Sequence, residues 1–252
     1  MPDPQIFASP AGRRLAYHHH AGEGPCIVFL GGLKSDMEGT KALHLEDWAR
    51  SAGRAFLRFD YSGHGRSSGT FEEGCIGDWA QDTFDILSEV VRGTVLPVGS
   101  SMGGWQALLL ARRMPERIVG MVTIAAAPDF TEDGYWASFT DAQKEDLARD
   151  GRIEIPSDYM EPYVITGRMI SDGRDQLVLR SALELPFPVR CLQGTADTAV
   201  STQTAVRLLE HATCPDMRLM LVKDADHRFS DGPCLGLIES AVTEVLNAAG
   251  NH

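Results

Sequence analysis

TVLPVGSSMGGWQALLLARR, residues 94–113, carries the strongest structural signal in the chain. Thr94 to Val98 is a short apolar run of the kind that forms a buried parallel strand. Gly99-Ser100-Ser101-Met102-Gly103 follows without a spacer, and Trp105 to Ala111 continues in strong helix formers. Strand, sharp turn and helix give G-x-S-x-G a mechanical meaning. The glycines allow a turn too tight for a Cβ, and the strained middle residue lifts its hydroxyl above the sheet. Ser101 is the candidate nucleophile, and the Met102 amide faces the same space. Pro97 has no N–H for a ladder, so it is expected at the strand's end, just before the turn. A second match, Gly65-Arg66-Ser67-Ser68-Gly69, has no apolar run directly before it and no helical pattern directly after, and reads as turn chemistry.

Outward from this stretch, strands and helices alternate. Gln5 to Ala8 and Arg14 to His18 flank Ser9-Pro10-Ala11-Gly12 as a hairpin. Strands follow at 25–30 and 54–59, with a helix at 40–51 between them that Gly53 stops. A helical stripe covers 76–91, and RIVGMVTIA (117–125) is a buried strand. The alternation breaks from Asp129 to about Pro186, where short helices are expected at 141–150 and 161–171, the second with Pro162 in its first turn. Trp136, Phe139, Tyr159, Met160, Tyr163, Ile165, Met169 and Ile170 concentrate there, some to dock the excursion and some to wall a pocket. Strand 187–193, helix 202–211, strand 217–222 and a terminal helix at 234–249 resume the pattern. The expectation is one α/β domain over residues 1–252. It has a mainly parallel central sheet, helices on both faces, and a small helical cap at about 129–186 inserted after the sixth strand.

Composition narrows the function classes. The chain has 252 residues, 43% hydrophobic and 23% charged, as a soluble globular protein with a sizeable core does. A formal net charge of −12 disfavours nucleic acid and anionic membrane, both of which need Lys and Arg against phosphate. No uninterrupted apolar run is long enough for a spanning helix, and MPDPQIFASPAGRR has neither a signal h-region nor an Arg-rich amphipathic pattern. The five cysteines are widely spaced with no C-x-x-C, which points to free thiols in a reducing cytoplasm. His18-His19-His20 has no nearby acidic or cysteine ligand and reads as an exposed edge strand; neither metal nor cofactor is expected.

A serine hydroxyl needs a base, and the base needs a partner that fixes its tautomer. Downstream of Ser101, His211 falls near a helix C-terminus, where its dipole partner is sufficient reason for it. His227 lies just past the strand at 217–222, where reactive groups of open α/β sheets gather, and is the expected base. Asp197, three residues beyond Gly194 at another strand end, is the expected acid. Asp129 is its competitor, and Asp224 and Asp226 stand too close to His227 in sequence. The loop Gly31-Gly32-Leu33 should supply the second oxyanion donor, the Leu33 amide, beside that of Met102. Asp60 to Ser67 is read as structural, with no partner assigned to His64.

These residues resemble the α/β-hydrolase superfamily from the first hairpin to the terminal helix. More narrowly, the segments at 39–69, 99–105 (GSSMGGW), 113–130 and 226–228 (DHR) resemble a family of mitochondrial palmitoyl-protein thioesterases and acyl-glucuronide esterases. The resemblance implies an α/β-hydrolase fold, a triad on Ser101, Asp197 and His227, and hydrolysis of S-acyl thioesters or acyl-glucuronide esters. The chain departs from that family in showing no transit peptide, which suggests a bacterial, cytoplasmic relative, and in reading Gly-Gly-Leu where a Pro-Gly pair is expected. The expected activity is a serine hydrolase of small-molecule or acylated substrates. A C–C hydrolase or lyase on the same scaffold and a non-catalytic ligand-binding protein are the alternatives.

Overall fold

The computed structural model describes residues 3–156 and 162–250. In chain order its elements are β1 (Gln5–Ala8), β2 (Arg14–His20), β3 (Glu23–Leu30), α1 (Thr40–Ser51), β4 (Arg54–Phe59), α2 (Ile76–Val90), β5 (Val95–Ser100), α3 (Met102–Arg113) and β6 (Met121–Ile124). There follow α4 (Asp141–Asp150), β7 (Arg152–Ile155), β8 (Tyr163–Thr166), α5 (Gly167–Asp175), β9 (Val189–Gly194), α6 (Thr202–His211), β10 (Met217–Val222) and α7 (Gly232–Ala249). Eight strands form one sheet in the order β1-β2-β4-β3-β5-β6-β9-β10. From β4 to β10 every neighbouring pair is parallel, and β2 and β1 add antiparallel edges.

Period-two alternation divides the core between the two faces. In β3, Cys26, Val28 and Leu30 pack toward α2 and α3, among Trp79, Leu87, Met102 and Trp105. Ile27 and Phe29 pack the other way, among Ala42, Leu45 and Ala49 of α1 and Ile238, Val242 and Val245 of α7. Buried on both faces, β3, β5 and β6 have no polar side to show, which explains their nearly unbroken apolar sequences.

Several expectations need correction. Pro97 is not at the end of its strand: it stands inside β5, opposite Val28. It is tolerated there because the β5–β6 ladder begins only at Val98, paired with Val122. The histidine run is half-buried rather than exposed: His18 to His20 pair with Arg58 to Phe56 of β4, while β1 reaches only to Tyr17. The helix expected at 161–171 begins only at Gly167. Before it, Tyr163–Thr166 is β8, antiparallel to β7, and Glu161 lies outside the described residues. The strand expected at 117–125 is reduced to β6 after a 3₁₀ turn at Pro115–Arg117.

The excursion after β6 opens with a π-helical turn, Thr131–Trp136, and continues through α4, capped by Thr140 and Gln143 in a reciprocal box and stopped by Gly151 at φ 73°. Its two ends are fastened to each other. Asp129 is fully buried, and its carboxylate accepts the Val178 amide at 2.7 Å, the Leu179 amide at 3.0 Å and the Arg180 guanidinium at 2.6 Å. Phe139, Ile165, Met169 and Ile170 are buried and dock the excursion, whereas Trp136 lies under Lys144 and Arg174. Tyr159 and Met160 lie outside the described residues.

Candidate active site

Ser101 occupies the turn between β5 and α3 at φ 56°, ψ −119°, a conformation that costs a non-glycine residue energy and persists only where its surroundings enforce it. The enforcement is local. Its amide donates to the Ile124 carbonyl at 2.9 Å, and its carbonyl accepts the amides of Gly104 at 2.9 Å and Ala127 at 3.1 Å. Gly103 has no space for a side chain, because a Cβ there would lie 2.0 Å from the Leu30 carbonyl oxygen. This contact presses the start of α3 against the loop after β3. In the same loop Gly32 abuts the Ser101 turn, its notional Cβ 3.4 Å from that of Ser101.

The three residues expected at strand ends come together. The Ser101 hydroxyl meets His227 Nε2 at 3.1 Å, and His227 Nδ1 meets Asp197 Oδ2 at 2.8 Å. With the carboxylate on Nδ1, the imidazole carries its proton there and presents a lone pair to the serine hydroxyl. The Asp197 side chain is wholly buried while that of His227 is 23% exposed, so the carboxylate is shielded and the imidazole reaches the cavity. Asp197 also accepts the Ala199 amide at 2.9 Å, the Val200 amide at 2.8 Å and Gln193 Nε2 at 2.9 Å. Burial alone would raise its pKa. The bonds from His227, Val200 and Gln193 outweigh burial and hold the carboxyl below the usual range, as an anion.

The rejected candidates have other work. His211 bonds the Ser181 carbonyl at 2.8 Å, Asp226 accepts the Phe229 amide at 3.1 Å, and Asp129 fastens the excursion. Ser67 of the second G-x-S-x-G donates to the Asp60 carbonyl and accepts the Ala16 amide, a turn role. His64 does have a partner: its Nε2 accepts the Lys34 amide at 3.1 Å. Sequence reasoning also missed Gln193, a fully buried amide at the end of β9 whose one signal was a polar residue in an apolar strand.

A cavity of about 880 Å³ opens over Ser101 and His227. Gly31, Gly32 and Leu33 form one side, and Phe130, Tyr135, Ile155 and Tyr163 bring apolar surface from the excursion. The Met102 amide sits in the first turn of α3, where backbone donors have no partner within the helix and the dipole favours negative charge. Among the described residues no cluster of His, Cys, Asp and Glu could hold a metal ion, and no helix is long and apolar enough to cross a membrane.

A parallel sheet wound by helices, with a strained serine facing a histidine and a buried aspartate, is the architecture of the alpha/beta hydrolases. The sequence model of the alpha/beta hydrolase family matches residues 27–240, and the chain belongs to that family. Among curated relatives it is 34% identical to the mouse mitochondrial palmitoyl-protein thioesterase ABHD10, over 92% of this chain and 79% of the mouse protein. It is 32% identical to the human protein of that name, over 92% of this chain and 76% of the human protein. Among solved structures, a putative hydrolase from Agrobacterium vitis S4 superposes with a TM-score of 0.93 at 36% identity, covering 98% of this chain and all of that one. The mouse alpha/beta hydrolase domain-containing protein 10 superposes with a TM-score of 0.90 at 29% identity, over 98% and 99% of the two chains.

Proposed function

We propose that this ester-bond hydrolase works through an acyl-enzyme on Ser101. His227 Nε2 takes the hydroxyl proton as Oγ attacks the acyl carbonyl, and Asp197 holds the imidazole in the required tautomer and stabilises the imidazolium. The amides of Met102 and Leu33 receive the oxyanion of the tetrahedral intermediate, each worth about 3 kcal/mol of the barrier. His227 then protonates the leaving group and activates water for deacylation. The observation that carries the reading is the continuous bonded line Ser101–His227–Asp197 from three separate strand ends. The assignment to Leu33 is supported by engagement of the next two amides: Lys34 donates to His64, and Ser35 to the Gly32 carbonyl at 3.2 Å.

The substrate class is a carboxylic ester or thioester whose acyl chain lies along Phe130, Tyr135, Ile155 and Tyr163. The thioester side of this reading is supported by the ABHD10 relatives, whose names assign them to palmitoyl-protein hydrolysis. The chain acts as one hydrolase domain with residues 129–186 as its cap, on small-molecule or acylated substrates, without a metal or cofactor. Work in the cytoplasm is supported by five cysteines that are all free thiols. The test is turnover of p-nitrophenyl esters and acyl thioesters of graded chain length by wild type and Ser101→Ala. The variant should keep its fold and lose turnover, and the wild type should prefer longer chains. Retained turnover in the variant rules out this nucleophile, and indifference to length rules out the apolar acyl wall.

A further inference from the structure

Residues 31–39, which carry the Leu33 amide, form no helix or strand of their own. The loop after β4 braces them at two points. The Asp60 carboxylate accepts the Met37 amide at 2.6 Å, and His64 Nε2 accepts the Lys34 amide at 3.1 Å. Lys34 sits at φ 57°, in the left-handed region that a side chain disfavours, so something outside the residue must hold it there.

His64 is built to do so. It is 4% exposed, with Tyr61, Phe71 and Trp79 edge-on to its ring at 5.7, 5.4 and 5.1 Å. Its Nδ1 donates to the Ser62 carbonyl at 3.1 Å. Ser62 is pinned in turn by Asp82, which accepts its amide at 2.8 Å and its hydroxyl at 2.6 Å. Since Lys34 donates, Nε2 must be the unprotonated nitrogen, and burial keeps the imidazole neutral by lowering its pKa against the smaller opposing effect of the Ser62 carbonyl. The side chain is buried and is not among those that line the cavity.

We infer that His64 is a positioning residue for hydrolysis: by accepting the Lys34 amide it fixes the central Leu33–Lys34 peptide of the turn that the Ser35 amide closes on the Gly32 carbonyl, and so holds the adjoining Gly32–Leu33 peptide, whose N–H is the oxyanion donor. The inference rests on the Ser101 acyl-enzyme reading. It explains why a buried histidine, rather than an apolar residue of similar size, occupies a site walled by three aromatic rings.

The test compares His64→Leu, which keeps bulk and removes the acceptor, with His64→Gln, whose Oε1 can take the place of Nε2. For each, kcat and KM on a p-nitrophenyl ester are measured. So is affinity for an alkyl boronic acid, which forms a tetrahedral anion on serine, and for the uncharged amide of the same chain. Removal of one aimed donor predicts that His64→Leu loses about 10²- to 10³-fold in kcat, with KM and amide binding nearly unchanged. Boronate affinity should fall in parallel, and His64→Gln should recover at least tenfold of both losses. Wild-type kcat in His64→Leu overturns the inference, as does a loss that appears equally in amide binding and is not recovered by glutamine. Should His64→Leu fail to fold, ¹⁵N NMR of the wild type decides: Nε2 must be unprotonated wherever kcat is maximal, and a protonated Nε2 there overturns the inference. Ser101→Ala separates the two levels. If it retains turnover the acyl-enzyme reading has failed; if it is inactive while His64→Leu is fully active, only the role of His64 has.

Discussion

Replacing Gly103 by alanine tests the contact on which the site's geometry depends. The added Cβ would stand 2.0 Å from the Leu30 carbonyl oxygen and 2.7 Å from that of Gly31, and both atoms are backbone. Real Cβ contacts essentially never fall below 3.0 Å, so α3 and the loop after β3 must part by roughly 1 Å. Met102 precedes the substituted residue and Leu33 follows Gly31 by two, so both proposed oxyanion donors sit on the surfaces forced apart. Overpacking of this kind costs about 2 kcal/mol, which lowers the melting temperature by roughly 4–8 °C in a chain of this size. A displacement of about 1 Å at reacting groups costs about 100-fold in rate. The assay is thermal unfolding beside kcat/KM on a p-nitrophenyl ester. Gly236→Ala serves as the control, because a Cβ at that position in α7 meets nothing within 4 Å. The control should be at least as stable as wild type and fully active. A Gly103→Ala protein with wild-type melting and wild-type kcat/KM would show that this contact does not set the geometry of the site.

Asp197→Asn should keep the fold and lose about 10⁴-fold in kcat, because an amide no longer fixes the His227 tautomer; a loss below tenfold would remove Asp197 from the triad. Asp129→Ala separates structure from chemistry. It strands two buried amides and Arg180, costing about 3 kcal/mol and lowering melting by roughly 6–12 °C, while kcat on a small ester changes by less than about tenfold. A stable but inactive Asp129→Ala would transfer the acid's role to it. Lys41 donates to the Arg228 carbonyl beside His227, and burial, against the attraction of Asp226, lowers its pKa from 10.5 to about 8. Below pH 8 both folded and unfolded chains hold that proton, and the burial penalty is complete. Between about 8 and 10.5 only the unfolded chain holds it, so this group makes stability rise with pH. Lys41→Met should remove that rise, read as the difference in unfolding free energy between wild type and variant at neutral and alkaline pH. A difference that stays constant with pH contradicts the assignment.

The sequence was most legible where the signal is local. The run from Thr94 to Arg113 carries strand, turn and helix in one segment, and the structure places β5, the strained Ser101 and α3 there. Asp197 and His227 were reachable because each follows an apolar run that ends in a loop. The excursion was less legible. Tyr163-Val164-Ile165-Thr166 is too short for periodicity to separate strand from helix, and its role as β8 depends on pairing with β7. Thr166, whose hydroxyl accepts the Met169 amide at 3.1 Å, caps α5 inside the span read as one helix. The partner of His64 had no local signature, because the bond to Lys34 crosses 30 residues of sequence. Asp129, weighed in the sequence only as a competitor for the acid, finds its partners 49 to 51 residues away, whereas Gln193 depends on the turn that folds Asp197 and Val200 back over it.

The most direct measurement is capture of the acyl-enzyme itself. Wild-type protein is quenched with acid during turnover of a slowly deacylating p-nitrophenyl ester, and its peptides are mapped by mass spectrometry. One added acyl group is expected, on the peptide that contains Ser101, and none in Ser101→Ala. Turnover with Ser101 unmodified, or an acyl group found instead on Ser67, Ser68 or Lys41, would contradict an acyl-enzyme on Ser101.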